Sequence, residues 1–332
     1  MIPRTMSMDL FAAAAVVVAV ALAVVVFRSS QPRLDLKQKH VVITGAACGI
    51  GRGLAIAFAN AGAIVSLMDI NHAGLKEVAA AIDRPTAVHV CPCDISDPVF
   101  VQISLPCISH PFHSQVAAAL ATLKAAAAQP VDILINNAGI VHGKSILELT
   151  HADVQKTFEV NTLSHFNTVR SVLPHMLERR RGLIVTVSSV MGLNGAARLT
   201  DYCASKSALV GFHESLRLEL HDSGVRTLLV CPMAVASGMF HGIHQVKTLW
   251  HRVLHTFLLP MVSVDDVVAT MMDAIQDPHR HELITCTPSW RRHVLPWVIR
   301  GVRILPVALM DLILGLGGAR DGMDTFVGHP TR

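Results

Sequence analysis

Tyr202 is the only tyrosine in the chain. It stands in TDYCASKSAL, residues 200–209, four positions before Lys206. On a helix that spacing sets a phenol and an ammonium one turn apart on a shared face. A free phenol has a pKa of about 10 and is a poor base at neutral pH. A cation one turn away favours the phenolate, and lowering the pKa by about 3 units takes roughly 4 kcal/mol of differential stabilisation. The pair therefore reads as a general acid/base and its activator, and the expected phenol pKa lies well below the free value. Thirteen residues upstream, GLIVTVSS (182–189) is an apolar strand that delivers the hydroxyls of Ser188 and Ser189 at its end.

These groups need a scaffold, and the first half of the chain supplies one. HVVI (40–43) reads as a short buried strand, TGAACGIG (44–51) as a glycine turn, the alanine-rich stretch to residue 62 as a helix, and IVSLMD (64–69) as a second strand. Gly45, Gly49 and Gly51 lie between strand and helix. There they let a pyrophosphate approach the backbone at the positive end of the helix. Asp69 closes the second strand, where a carboxylate accepts hydrogen bonds from an adenosine ribose and repels a 2′-phosphate. That favours NAD(H). Arg52 beside the loop leaves NADP(H) open. VHVCPCDI (88–95) and VDILINNAG (131–139) continue the alternation, and the expected fold is α/β, a doubly wound parallel sheet of the Rossmann type.

In this order, from glycine turn to NNAG, Ser189, Tyr202 and Lys206, the chain resembles the short-chain dehydrogenase/reductase superfamily over roughly residues 38–285. The resemblance implies that Tyr202 moves the proton, that Lys206 binds the nicotinamide ribose and lowers the phenol pKa, and that Ser189 holds the substrate oxygen. It implies that Asn161, in FEVNTLSHF, completes a proton relay through water. The cofactor contacts it implies are Ile50, Asp94, Ile95, Asn137 and Gly139, with Pro232, Val235 and Ser237 of CPMAVASGMF near the carboxamide. Met233 departs from the glycine usual after that proline. NNAGIVHGKS, DYCASKSALVGFHESL and the terminal MDTFVGH look like the membrane-anchored retinol/retinal dehydrogenases and their steroid and lipid relatives. That likeness implies an apolar alcohol as substrate, retinol first and a steroid or long-chain lipid alcohol next, and admits a homodimer. A lipid-surface binding protein that keeps the fold without turnover is the contrasting class.

Composition points the same way. Hydrophobic residues make up 52% of the chain and charged ones 16%, while a net charge of +4 is too small and dispersed for a nucleic-acid partner. LFAAAAVVVAVALAVVVF (10–27) has no polar side chain and would span about 27 Å as a helix. Arg28, Arg33, Lys37 and Lys39 follow it, against Arg4 alone before it. The arrangement reads as an uncleaved anchor, with a cleaved signal peptide as the rival, and places the following domain in the cytosol; the membrane that the resemblance implies is that of the endoplasmic reticulum or a lipid droplet. The expected divisions are 1–35 for anchor and basic linker, 36–288 for the dehydrogenase domain and 289–332 for an apolar C-terminal segment. Within the last, residues 294–318 read either as an interfacial segment or as a helix capping the substrate cleft.

The seven cysteines and nineteen histidines suggest no metal site. Cys91 and Cys93 fit small apolar positions at a strand end, and the pairs His241/His244 and His251/His255 fit an interfacial surface. FVQISLPCISHPFHSQ (100–115) fits no element, and deleting it would leave one short loop and the amphipathic helix VAAALATLKAA. It is either a surface insertion or the translation of a retained intron, and no catalytic role is assigned to it.

Overall fold

The computed structural model describes residues 32–83, 88–97, 115–236, 261–285 and 299–316, together with Ala319 and Met323. The apolar segment 10–27, most of the stretch 100–115, Ser237 and the four paired histidines lie outside the described residues.

Apolar runs rich in β-branched residues form seven strands. They are β1 (His40–Thr44), β2 (Ile64–Asp69), β3 (Val88–Pro92), β4 (Ile133–Asn136), β5 (Gly182–Val187), β6 (Val225–Pro232) and β7 (Glu282–Thr285). Every pairing is parallel, and the order is β3-β2-β1-β4-β5-β6-β7. The chain reverses direction across the sheet between β1 and β4, which opens a crevice at their carboxyl ends. The Rossmann reading of the sequence holds, and β6 and β7 extend the sheet beyond the five strands read from it.

Strand alternation explains why both faces are apolar. Val41 and Ile43 of β1 point to one face, with Ile133, Ile135, Leu183 and Val185. Val42, Leu134 and Ile184 point to the other. The first face is covered by α1 (Gly49–Asn60), through Leu54 and Phe58, by α2 (His72–Ala80), through Leu75 and Val78, and by α7 (Val264–Gln276), through Val267 and Met271. The second is covered by α3 (Gln115–Ala126), through Leu120 and Leu123, and by α5 (Ser164–Glu178), through Val169, Val172 and Met176. α6 (Thr200–Glu219) adds Leu216 to the same layer. Cys93 is a buried member of this second layer, the small apolar role expected of it. Helix α4 (His151–Phe158) runs through a π-helical turn (Glu159–Leu163) directly into α5.

Residues at the two ends of the chain pack on this domain. Arg33 pairs with Asp273 of α7 at 2.7 Å, and Leu36 is buried in the core. After β7, Ile299 is buried, and α8 (Val307–Leu316) leaves Val307, Leu309 and Leu312 exposed, with Ile304 just ahead of it at 87% exposure. No helix among the described residues is long and apolar enough to cross a membrane.

The amino ends of the central strands are tied by one carboxylate. Asp132, just before β4, accepts from Arg179 at 3.1 Å, from Arg181 at 3.2 Å and from the His40 amide at 3.1 Å. His40 is wholly buried and spends its ring nitrogens on Ser66 Oγ (2.8 Å) and the Gln129 carbonyl (3.1 Å). Asp132→Ala leaves Arg179 half-buried without its carboxylate, while solvent screens the exposed Arg181. The expected loss is about 2 kcal/mol in chemical denaturation. A loss within experimental error of zero would show that the cluster does not tie β1 to β4.

Candidate active site

The nucleotide end of the site is built around the turn after β1. Gly45 takes a φ of +66°, a left-handed conformation that favours glycine. A Cβ on Gly51 would lie 2.0 Å from the Gly45 carbonyl oxygen, so the turn closes only because that position is bare. Asn137, after β4, clasps the turn by donating its side-chain amide to the carbonyls of Thr44 (3.1 Å) and Gly45 (3.2 Å). Thr44 returns the contact, its hydroxyl accepting from the amides of Asn137 (3.0 Å) and Ala138 (3.2 Å). Asn137 thus supports the turn, and Thr44 does work that the sequence reading did not assign to it. Cys48 makes no side-chain cap at the start of α1, and no acid stands in that first turn, so nothing of the helix's own neutralises its positive end. Asp69 accepts from the Ala47 amide at 3.0 Å and the Asn71 amide at 2.9 Å, which holds its carboxylate at the rim of the same turn. Bare backbone, open helix end and rim carboxylate together fit a dinucleotide.

Other residues expected at the cofactor are less uniform. Asp94 accepts from Ser96 and, at 3.2 Å, from Lys156. Ile95 is buried in the second-face core, and Ile50 packs half-buried against the first. Pro232 ends β6, and Val235 bridges to Val262. Met233 is buried in the core of the first face.

The catalytic end is built from β5, α6 and the π turn. The two serines after β5 divide their work. Ser188 donates to the Lys206 carbonyl at 2.8 Å and so fixes α6 to the sheet. Ser189 hydrogen-bonds the Tyr202 phenol, and its Oγ also accepts from the Met191 amide at 3.1 Å. Lys206 stands one turn beyond Tyr202 on α6, its Nζ 5.8 Å from the phenol ring centre and donating to the Val187 carbonyl at 3.1 Å. Asn161 sits in the π turn, a local widening of the helix often found at functional sites. Its side chain joins the NNAG loop to α6. It accepts from the Ile140 amide at 2.7 Å and donates to the Ile140 carbonyl and Ser205 Oγ at 3.0 Å each. A Cβ on Gly139 would lie 3.3 Å from Asn161 Oδ1 and 3.4 Å from Lys206 Nζ, so this glycine is where the NNAG loop, Asn161 and Lys206 converge. Ser189, Tyr202, Lys206 and Asn161, separated by up to 45 positions in the chain, are thus gathered at one place.

In the cofactor-free fold the phenol pKa lies on the other side of its free value from the expectation, which also counts the positive nicotinamide ring of a bound cofactor. Burial pushes the Tyr202 pKa up, and the Ser189 hydrogen bond only partly offsets it. Burial also lowers the Lys206 pKa to about 8. The sequence argument counted the cation's attraction but not the desolvation that accompanies its burial.

A further cluster supports the start of α6. Buried Asp201, beside Tyr202, accepts from Thr157 Oγ1 at 2.8 Å and meets His142 Nδ1 at 3.2 Å. His142 Nε2 stands 3.5 Å from Asp153, which Lys144 holds at 2.7 Å. Adjacency to NNAG and to Tyr202 was the only signal for these residues. His165 and His213 are also buried against this helix pair, and burial lowers both pKa values, that of His213 to about 4.

The short chain dehydrogenase family model matches residues 39–248. The chain belongs to the short-chain dehydrogenase/reductase family. Among curated relatives it is 38% identical over 246 residues to the bovine short-chain dehydrogenase/reductase family 16C member 6, covering 73% of this chain and 70% of that protein. It is 38% identical over 247 residues to human epidermal retinol dehydrogenase 2, covering 73% and 74%. Human 17-beta-hydroxysteroid dehydrogenase 13 is 35% identical over 255 residues, with 76% of each chain covered. Among solved structures, the 3-ketoacyl-(acyl-carrier-protein) reductase from Brucella melitensis complexed with NADH superposes with a TM-score of 0.62 at 24% identity, covering 75% of this chain and 98% of that one. This short-chain dehydrogenase is an NAD(P)-dependent oxidoreductase that uses a nicotinamide cofactor.

The single tyrosine lets its state be read directly. Near-ultraviolet absorbance titration of the cofactor-free dehydrogenase is expected to give a midpoint above the free value of about 10. Because the folded pKa is the higher one, stability should fall as pH rises from the free value toward the folded one. A midpoint at or below the free value would contradict the dominance of burial.

Proposed function

We propose that this dehydrogenase is a membrane-associated enzyme that interconverts an apolar alcohol and its carbonyl, with retinol/retinal as the favoured pair and a steroid or long-chain lipid alcohol next. The observation that carries the reading is the Ser189–Tyr202 hydrogen bond, with the Lys206 ammonium one turn away and an apolar cluster of Leu199, Met323 and their neighbours packed on the phenol. NAD⁺, when bound, accepts the hydride that leaves the carbinol carbon. Ser189 holds the alcohol oxygen and Tyr202 takes its proton. Lys206 favours the charged form of the phenol and hands the proton on through the Asn161 side of the site. The reverse sequence reduces the carbonyl. The apolar segment 10–27 anchors the chain, and the exposed apolar residues Ile304, Val307, Leu309 and Leu312 rest on the same lipid surface, that of the endoplasmic reticulum or a lipid droplet, with the domain facing the cytosol. Asp69 selects NAD(H) over NADP(H), and a homodimer is the expected assembly.

The test is turnover of retinol, a steroid alcohol and a fatty alcohol by membrane preparations with each cofactor. Tyr202→Phe is expected to lower kcat by about a thousandfold with little change in KM. Oxidation that survives this substitution would refute the assigned base. Asp69→Ala is expected to shift the NAD(H)-over-NADP(H) preference toward NADP(H) by about tenfold, the equivalent of one hydrogen bond to a charged group. An unmoved preference would remove Asp69 as the selector.

A further inference from the structure

The C-terminal MDTFVGH signature has no role in the chemistry above, yet its first residue reaches the catalytic centre. Met323 is buried in one cluster with Leu199 and Tyr202, and Val141, Met191, Ala196 and Cys203 pack around them. The cluster therefore draws on the loop after β4, the loop after Ser189, the first turns of α6 and the C-terminal tail. The tail is fixed there by backbone bonds. The Ala197 amide donates to the Ala319 carbonyl at 2.8 Å, and the Ala319 amide donates to the Leu314 carbonyl of α8 at 2.9 Å. Ala197 lies between Ser189 and Tyr202 in the chain, so the tether sits on the loop that joins the two. Lys206 Nζ, 5.8 Å from the ring centre, and Ser189 at the hydroxyl belong to the chemistry, and the other side chains of this cluster are apolar. A wall made of these apolar side chains chooses among alcohols by bulk. An unbranched thioether suits such a wall, filling irregular apolar space without a fixed shape.

We infer that Met323 is a specificity-determining residue, the wall contributed by the tail that sets how bulky an alcohol can lie against Tyr202. This rests on the alcohol-oxidising reading above. Shortening the side chain widens the pocket for fused-ring alcohols and removes contact from slender ones, and enlarging it does the reverse. Ala319 thus holds the end of α8 to Ala197, beside the Ala196 that packs on the same cluster as Met323.

The test compares kcat/KM for 1-decanol, all-trans-retinol and a 17β-hydroxysteroid, using the full chain in detergent-solubilised membranes. Wild type is set against Met323→Ala, Met323→Phe and the near-isosteric Met323→Leu. Met323→Ala is expected to raise the steroid-to-decanol ratio by about tenfold and Met323→Phe to lower it by a similar factor, the discrimination a methylene or two provides in an apolar pocket. Met323→Leu should stay close to wild type, and the KM for NAD⁺ should not move in any variant. Active enzymes whose three kcat/KM values fall together by a common factor would show a structural role and overturn the inference alone. So would unchanged ratios. If Met323→Ala fails to fold, the Met323→Phe ratio against Met323→Leu decides by the same criterion. A wild-type chain that oxidises none of the three overturns the proposed function, and the inference with it.

Discussion

Everything at the catalytic end depends on placing a lysine ammonium in the protein interior one turn from a buried phenol. Lys206 is 3% exposed, and desolvation works against its charge, which is why its pKa falls to about 8. What offsets that cost is fixed in position. The last carbonyl of β5 accepts from Nζ, and Ser188 locks the lysine's own carbonyl to the strand end. The side chain cannot retreat to solvent, because α6 is held from below by the sheet and beside it by the Asn161–Ser205 contact. The ammonium is therefore kept beside the phenol, 5.8 Å from its ring centre, and away from solvent.

The same sheet separates structural from chemical polar groups. At the amino ends of β1 and β4, His40, Asp132, Arg179 and Arg181 satisfy one another and need no ligand. At the carboxyl ends, the helix start after the glycine turn, Asp69 and the Ser189–Tyr202 pair face the crevice made where strand order reverses. Asn137 and Asn161 share a task across this crevice. Each uses its amide to clasp a loop, one at the glycine turn and one beside the NNAG segment.

Much of this was legible in the chain because the informative residues lie at the ends of strands. Alternation of strand and helix signals, closing each time on a glycine, an aspartate or a serine, was enough for the parallel sheet and for placing Gly45, Asp69 and Ser189 at its carboxyl ends, with Tyr202 and Lys206 on the following helix. β6 and β7 were not read as strands, since LLVCP and ELIT are short apolar runs without a distinctive period. The sign of the Tyr202 shift was missed for a physical reason. Sequence spacing reports the neighbour's charge, whereas the depth of burial depends on what folds over it, including Leu199 and a methionine more than a hundred residues away. Thr44, His142, Thr157 and Asp201 were missed likewise, because their hydrogen bonds join segments that only the fold makes neighbours.

The central claim is that the Ser189–Tyr202–Lys206 site moves a hydride from an apolar alcohol to a nicotinamide while the phenol takes the proton. The most direct measurement is mass spectrometry of the reduced cofactor after turnover of all-trans-retinol deuterated at its carbinol carbon. The account expects one deuterium in the cofactor for each retinal formed, with a slowed rate relative to unlabelled alcohol. Retinal formed without deuterium in the cofactor, or cofactor reduction that proceeds equally well in Tyr202→Phe, would contradict it.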